Sequence, residues 1–126
     1  MRLARIVFLL AGIWGVLVVT PLLFIFDLIC RQDPPPITHP GFYYGFATTA
    51  LAWQIAFFII AREPSRLRPL MLASVLEKFG YGATLIVLFV EKRIRGGDLA
   101  FACVDLLFGV LFILAYQKTL VVEVQH

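Results

Sequence analysis

A Glu-Lys pair near the centre of an apolar run is the feature that most restricts what this chain can become. The run covers residues 67–90 and reads LRPLMLASVLEKFGYGATLIVLFV. A bilayer has a hydrocarbon core ~30 Å thick, which takes roughly 20 residues of helix, so the run is long enough to cross one. Glu77 and Lys78 fall close to its middle, and Arg68, Ser74, Tyr81 and Thr84 are its other polar groups. A charged side chain at the bilayer centre costs at least ~2.5–3.5 kcal/mol on insertion scales, so it faces protein or water. The rest of the chain must supply those surroundings.

Three further stretches qualify as spans: residues 3–29, 41–61 and 98–116. The predicted fold is therefore all-α, an integral membrane four-helix antiparallel bundle forming one domain. Composition agrees. The chain has 126 residues, 61% hydrophobic and 15% charged. Soluble domains are about 45–50% apolar and about 25% charged, and so short a chain has no soluble core large enough for the excess. The net charge of +3 comes from Lys and Arg scattered among short connectors. That distribution suits phosphate head groups and topology control and excludes a nucleic-acid patch.

The connectors carry their own signals. Pro21 inside the first stretch removes a backbone hydrogen bond and predicts a kink near Thr20. Residues 31–40, RQDPPPITHP, hold three consecutive prolines and predict a stiff polyproline II segment. His39 at its end is expected to be solvated. Phe42, Tyr43 and Tyr44 open the second span as an interfacial aromatic anchor. Tyr43, Ala47, Ala50 and Gln54 then recur on one helical face, where small residues let a neighbouring helix come close. The short connector 62–66, with Pro64, turns the chain back into the third span. Residues 91–97, EKRIRGG, form a charged turn, and Asp98 is the expected N-cap of the fourth span.

Flanking charge sets orientation. With the N-terminus inside, Arg2, Arg5, Arg62, Arg66, Arg68 and Lys118 are cytoplasmic, against Arg31, Lys92, Arg93 and Arg95 outside. Six against four favours both termini in the cytoplasm, and EKRIRGG outside is the main argument against it. The long first stretch, with no A-x-A motif after it, predicts retention rather than cleavage of a signal peptide. Cys30 and Cys103 are expected as unpaired thiols.

At ~1.5 Å per residue, Gln54, Glu77 and Trp14 reach similar depth, and Thr48, Thr49, Tyr81 and Asp105 lie nearer the outer side. Two polar tiers follow: Gln54 with Glu77, and Thr48 or Thr49 with Tyr81 and Asp105. Ser74, Glu77, Tyr81 and Thr84 are three or four residues apart and predict a polar stripe facing the bundle interior. Lys78 is turned by roughly 100° from Glu77 and is expected to reach Asp105 or to snorkel towards head groups. The candidate ligand-binding or proton-relay residues are Glu77, Asp105, Tyr81, Gln54 and Lys78. A carboxyl in such a pocket can carry a proton or bind a cationic ligand. The bland alternative is interhelical glue, at ~0.6 kcal/mol per hydrogen bond. For Glu77 and Asp105 the two readings weigh evenly. For Gln54, Thr48, Thr49, Ser74 and Thr84 glue is favoured.

No H-E-x-x-H, G-x-S-x-G or P-loop string is present, and both histidines lie outside the spans. No cofactor and no metal site is expected. The four-span layout, the HPGFYYGF opening of the second span and the R-E-P turn resemble small bacterial inner-membrane proteins, and the layout is similar to the DoxX-like and BphX-like group. That resemblance implies a bacterial inner-membrane protein and assigns no catalytic residue. The leading functional expectation is a binding or accessory protein for a lipid-like small molecule or a larger membrane complex. The alternatives are a membrane enzyme using Glu77 and Asp105 as acid and base on an apolar substrate, and a small oligomeric transporter. A binding protein would have a largely apolar cavity walled by both carboxyls. An enzyme would converge them on one spot, and a purely structural role would leave no cavity.

Overall fold

The computed structural model describes residues 2–32, 38–94 and 96–119. Helix α1 spans Arg2–Val19 and is followed by a 3-10 turn at Thr20–Leu23, α2 at Phe26–Gln32, α3 at Pro40–Arg62, α4 at Arg68–Val90 and α5 at Gly96–Lys118. Four segments are long and apolar enough to cross a membrane: Arg2–Leu23, Pro40–Arg62, Arg68–Val90 and Gly96–Lys118. No strand occurs among the described residues. Of the predicted polyproline segment, residues 33–37 lie outside them, as do Arg95 and the tail beyond Thr119, while Arg31 and Gln32 belong to α2 and Pro40 opens α3.

The first stretch is not one helix. The predicted kink is a change from α to 3-10 geometry at Thr20, with Pro21 in the first turn of the new segment. The chain then restarts as α2, which comes back against the beginning of α3. Phe26 lies 5.0 Å from Tyr43 and 5.5 Å from Tyr44. The Tyr43 hydroxyl donates to the Leu22 carbonyl at 2.6 Å. A 3-10 turn leaves carbonyls without an i+4 partner, and this bond satisfies one of them. The aromatic opening of α3 therefore also pins the break that ends α1.

Two glycines set the spacing of the helices. A Cβ on Gly15 would collide with the carboxamide of Gln54, so α1 and α3 meet there with nothing to spare. A Cβ on Gly82 would come within 2.9 Å of Leu106, which fixes the approach of α4 to α5. Close backbone approach at small residues is how helices associate where no water drives them together. α1 packs along α3 and α4 along α5, α1 joins the two pairs through α5, and α3 touches α4 little. The predicted hairpin between the second and third spans is thus a connection in sequence with a thin contact in space. Arg68 at the start of α4 donates to the Tyr116 carbonyl at 3.0 Å, and its guanidinium lies 3.7 Å from that residue's ring centroid.

The core occupies the half of the molecule that holds the start of α1 and the end of α5. Phe8, Phe57 and Phe112 are fully buried there. Phe8 stacks on Phe112 at 4.2 Å, and Phe57 meets Phe112 edge-on at 5.1 Å. Met71 and small residues such as Ala11 and Ala115 fill the gaps around them.

Both ends of the 91–97 connector differ from expectation. α4 closes with Lys92 at φ 61°, its N–H on the Phe89 carbonyl and the Arg93 N–H on the Leu88 carbonyl. This is a Schellman closure with lysine where glycine is usual. The glycines that were to close the turn instead begin α5. Asp98 is consequently not the N-cap but lies in the first turn, where a carboxylate still complements the helix dipole.

Candidate functional site

The buried line of α4 runs through Met71, Ser74, Lys78, Gly82 and Leu85. The interior residue of the central pair is therefore Lys78, at 3% exposure, with Glu77 at its shoulder. This corrects the predicted stripe. Ser74 is buried, Glu77 and Tyr81 are half-buried, and Thr84 is exposed. Helical spacing put those four on one side, but the face that packs on α5 is centred one position further round.

The predicted hydroxyl glue is also corrected. Ser74 donates to Leu70 O, Thr84 to Gly80 O and Thr48 to Tyr44 O, each four residues back on its own helix. Such back-bonding uses the hydroxyl's one proton within its own helix and leaves it no hydrogen to donate to a neighbouring helix. Thr48 and Thr49 are exposed and do not line the cavity that Tyr81 and Asp105 share; Thr49 meets Tyr81 only at an outer hollow.

Gln54, Glu77, Lys78, Tyr81 and Asp105 do come together, on one cavity of about 390 Å³. Lys78 is its electrostatic centre. Its Nζ lies 3.3 Å from Asp105 Oδ1 and 3.8 Å from Glu77 Oε2. Of the two expected fates of Lys78, reaching Asp105 is the one realised. The adjacent carboxylate joins as well, because the long lysine stem bends back across the ~100° offset. The ammonium lies 5.3 Å from the centroid of Phe57 and 5.8 Å from that of Phe108, within cation–π range. The aromatic core thus reaches the Lys78 ammonium without itself lining the cavity.

The remaining walls are apolar. Gly15, Val18, Val19 and Leu22 come from the α1 side, Phe46 and Ala50 from α3, and Phe101 from α5. Asp98 lines it too. Asp98 and Asp105, seven residues apart on α5, both line the cavity, but the expected cap position hid Asp98 from the candidate set. Phe46 stacks on Tyr81 at 5.4 Å between centroids and nearly parallel, at 17°. Nothing in local spacing foretells that contact across α3 and α4.

Two polar atoms at the cavity are unsatisfied. Gln54 is 2% exposed; its Nε2 donates to Ala50 O at 2.7 Å, and its Oε1 is buried with no partner. Glu77 Oε2 is likewise buried without a hydrogen bond, the Lys78 ammonium being too distant to supply one. A buried acceptor left unmatched costs about 1–3 kcal/mol, so an atom of this kind beside a cavity calls for a donor from outside the chain.

Trp14 lies against Phe101 at 6.4 Å and Trp53 against Phe57 at 6.2 Å, both as packing residues. Cys30 and Cys103 are free thiols. Among the described residues, no three His, Cys, Asp or Glu side chains gather as a metal site. The chain matches no family model, no curated protein and no solved structure.

Proposed function

We propose that this chain is a multi-pass membrane protein, an antiparallel bundle of four spans, that binds a lipid-like small molecule in the cavity around Lys78. The observation that carries the reading is Gln54 Oε1: a buried acceptor with no partner, on a side chain that lines the cavity. Cavities of about 300–1,000 Å³ with mostly apolar walls and a few convergent polar groups are where small molecules bind. The hollow of about 390 Å³ falls in that range.

Two features favour binding over the alternatives. An acid–base pair needs open space between its carboxyls. Here the point on which Glu77 and Asp105 converge is taken by the Lys78 ammonium. Transport through one copy needs a path end to end, and Phe8, Phe57 and Phe112 fill the half beyond Lys78. The same reading places the protein in a bacterial inner membrane with both termini cytoplasmic, as the six-to-four balance of flanking Lys and Arg favours. It keeps the likeness to the DoxX-like group at the level of layout.

Native mass spectrometry of the full chain, released from membranes in mild detergent, tests the proposal. A bound mass of small-molecule size is expected, and it should be depleted in Gln54→Leu. A chain that carries no bound mass, and whose unfolding temperature no amphiphile raises, would overturn it.

A further inference from the structure

Only a thin wall bounds the inner cavity on the α3–α4 side. A second hollow of about 420 Å³ lies against that seam and shares Phe46, Ala50, Glu77 and Tyr81 with the first. Its other walls are Gly45, Thr49 and Trp53. Those four shared residues are a partition between an inner space and an outer groove, and the partition is thin because α3 and α4 touch little. Thr49 is exposed and Trp53 half-buried, so the groove faces what surrounds the protein.

The chemistry of the inner space is one-sided. Its lining carries three carboxyl side chains, Glu77, Asp98 and Asp105, against one ammonium, Lys78. Its two unsatisfied atoms, Gln54 Oε1 and Glu77 Oε2, are both acceptors. Phe46, Tyr81 and Phe101 present aromatic rings to the same space. A guest that complements all three features brings donors and a positive charge. A fatty acid or a phosphate ester brings the opposite.

We infer that the cavity takes a single-chain amphiphile with a protonated amine head, lodged among Gln54, Glu77 and Asp105, whose tail runs out past Ala50 into the Trp53 groove. This rests on the binding reading above and adds to it the head-group class and the route. The amine brings charge to the carboxyl excess and donors beside Gln54 and Glu77, whose acceptors have no hydrogen-bond partner, and charge-assisted bonds are the strong ones. The tail leaves sideways, so the guest reaches the site from the bilayer without crossing water.

The chain has two tryptophans, so Trp14→Phe leaves Trp53 as the sole fluorophore, and Trp14 is no part of either hollow. The protein is placed in phosphatidylcholine nanodiscs and titrated with ω-bromododecylamine, ω-bromododecanol or ω-bromododecanoic acid, whose bromine quenches a neighbouring indole. Saturable quenching by the amine, reversed by excess dodecylamine, is the expected result. Glu77→Gln should weaken the amine by about tenfold, the size of one charge-assisted bond, and a cooperative thermal unfolding transition without ligand reports that the variant is folded. Saturable binding that favours the acid or the alcohol overturns the amine and leaves the cavity as a binding site. Amine binding seen by thermal shift but without quenching of Trp53 overturns the route. No saturable response to any of the three, by fluorescence or by thermal shift, overturns the binding reading itself.

Discussion

Lys78 is held from three directions: by Asp105 on α5, by Glu77 beside it and by the rings of Phe57 and Phe108 beneath. Breaking a buried pair by removing one partner typically costs about 3–5 kcal/mol, because the other charge is stranded. Lys78→Met should therefore lower the unfolding temperature sharply, and adding Asp105→Asn should restore most of the loss. A double variant no better than the single would show that the ion pair does not join α4 to α5. Gln54 predicts the opposite sign. Gln54→Leu removes an unmatched acceptor and should stabilise the unliganded protein by about 1 kcal/mol while weakening ligand binding. A loss of stability in thermal unfolding would assign Gln54 a structural role instead. That a polar group had to be buried in residues 67–90 was legible in the sequence. Which of two adjacent residues took the centre was not, because a helical wheel fixes angles between side chains and not the angle at which a neighbour arrives.

At the scale of elements, each membrane-length helix appears where its apolar run predicted, and Pro21 breaks the first as its missing N–H requires. What escaped is at the boundaries. The choice between Asp98 as cap and Asp98 as first-turn residue depends on whether two glycines end a turn or begin a helix, and glycine allows both. The end of α4 carries a testable strain. Lys92 adopts φ 61°, where a side chain costs about 1–2 kcal/mol and glycine does not. Lys92→Gly should raise the unfolding temperature by the equivalent of roughly 0.5–1 kcal/mol once the extra freedom of unfolded glycine is deducted. An unchanged or lower temperature in thermal unfolding would mean that the lysine makes up for its backbone. The hydroxyls of Ser74, Thr48 and Thr84 show another limit of reading from spacing. Helical geometry supplies each with a carbonyl four residues back, so facing a neighbour is no guarantee of bonding to it.

For the whole molecule, the two cysteines offer a direct test of insertion and orientation. Cys30 lies in α2, beyond the first span, and Cys103 is exposed on the flank of α5, within the fourth. With the N-terminus in the cytoplasm, a membrane-impermeant maleimide added to intact cells should label Cys30. Cys103 should stay protected by acyl chains until detergent is added. Labelling of Cys30 only after permeabilisation would reverse the orientation, and ready labelling of Cys103 in intact membranes would remove α5 from the lipid. The number of membrane-length apolar helices was legible because apolar length is a one-dimensional property. The pairing of helices was not. A short connector makes α3 and α4 neighbours in sequence, yet Gly15 under Gln54 and Gly82 under Leu106 draw α1 to α3 and α4 to α5 instead.

That pairing divides the molecule like a book with two stiff covers. Gln54 and the glycine beneath it belong to one cover, while Lys78, Asp105 and Glu77 belong to the other. Between α3 and α4 the contacts are aromatic: the flat Phe46–Tyr81 stack and the Lys78 ammonium over the Phe57 ring. Parting the covers at the Phe46–Tyr81 stack would widen the chamber while leaving the polar atoms on their own pages.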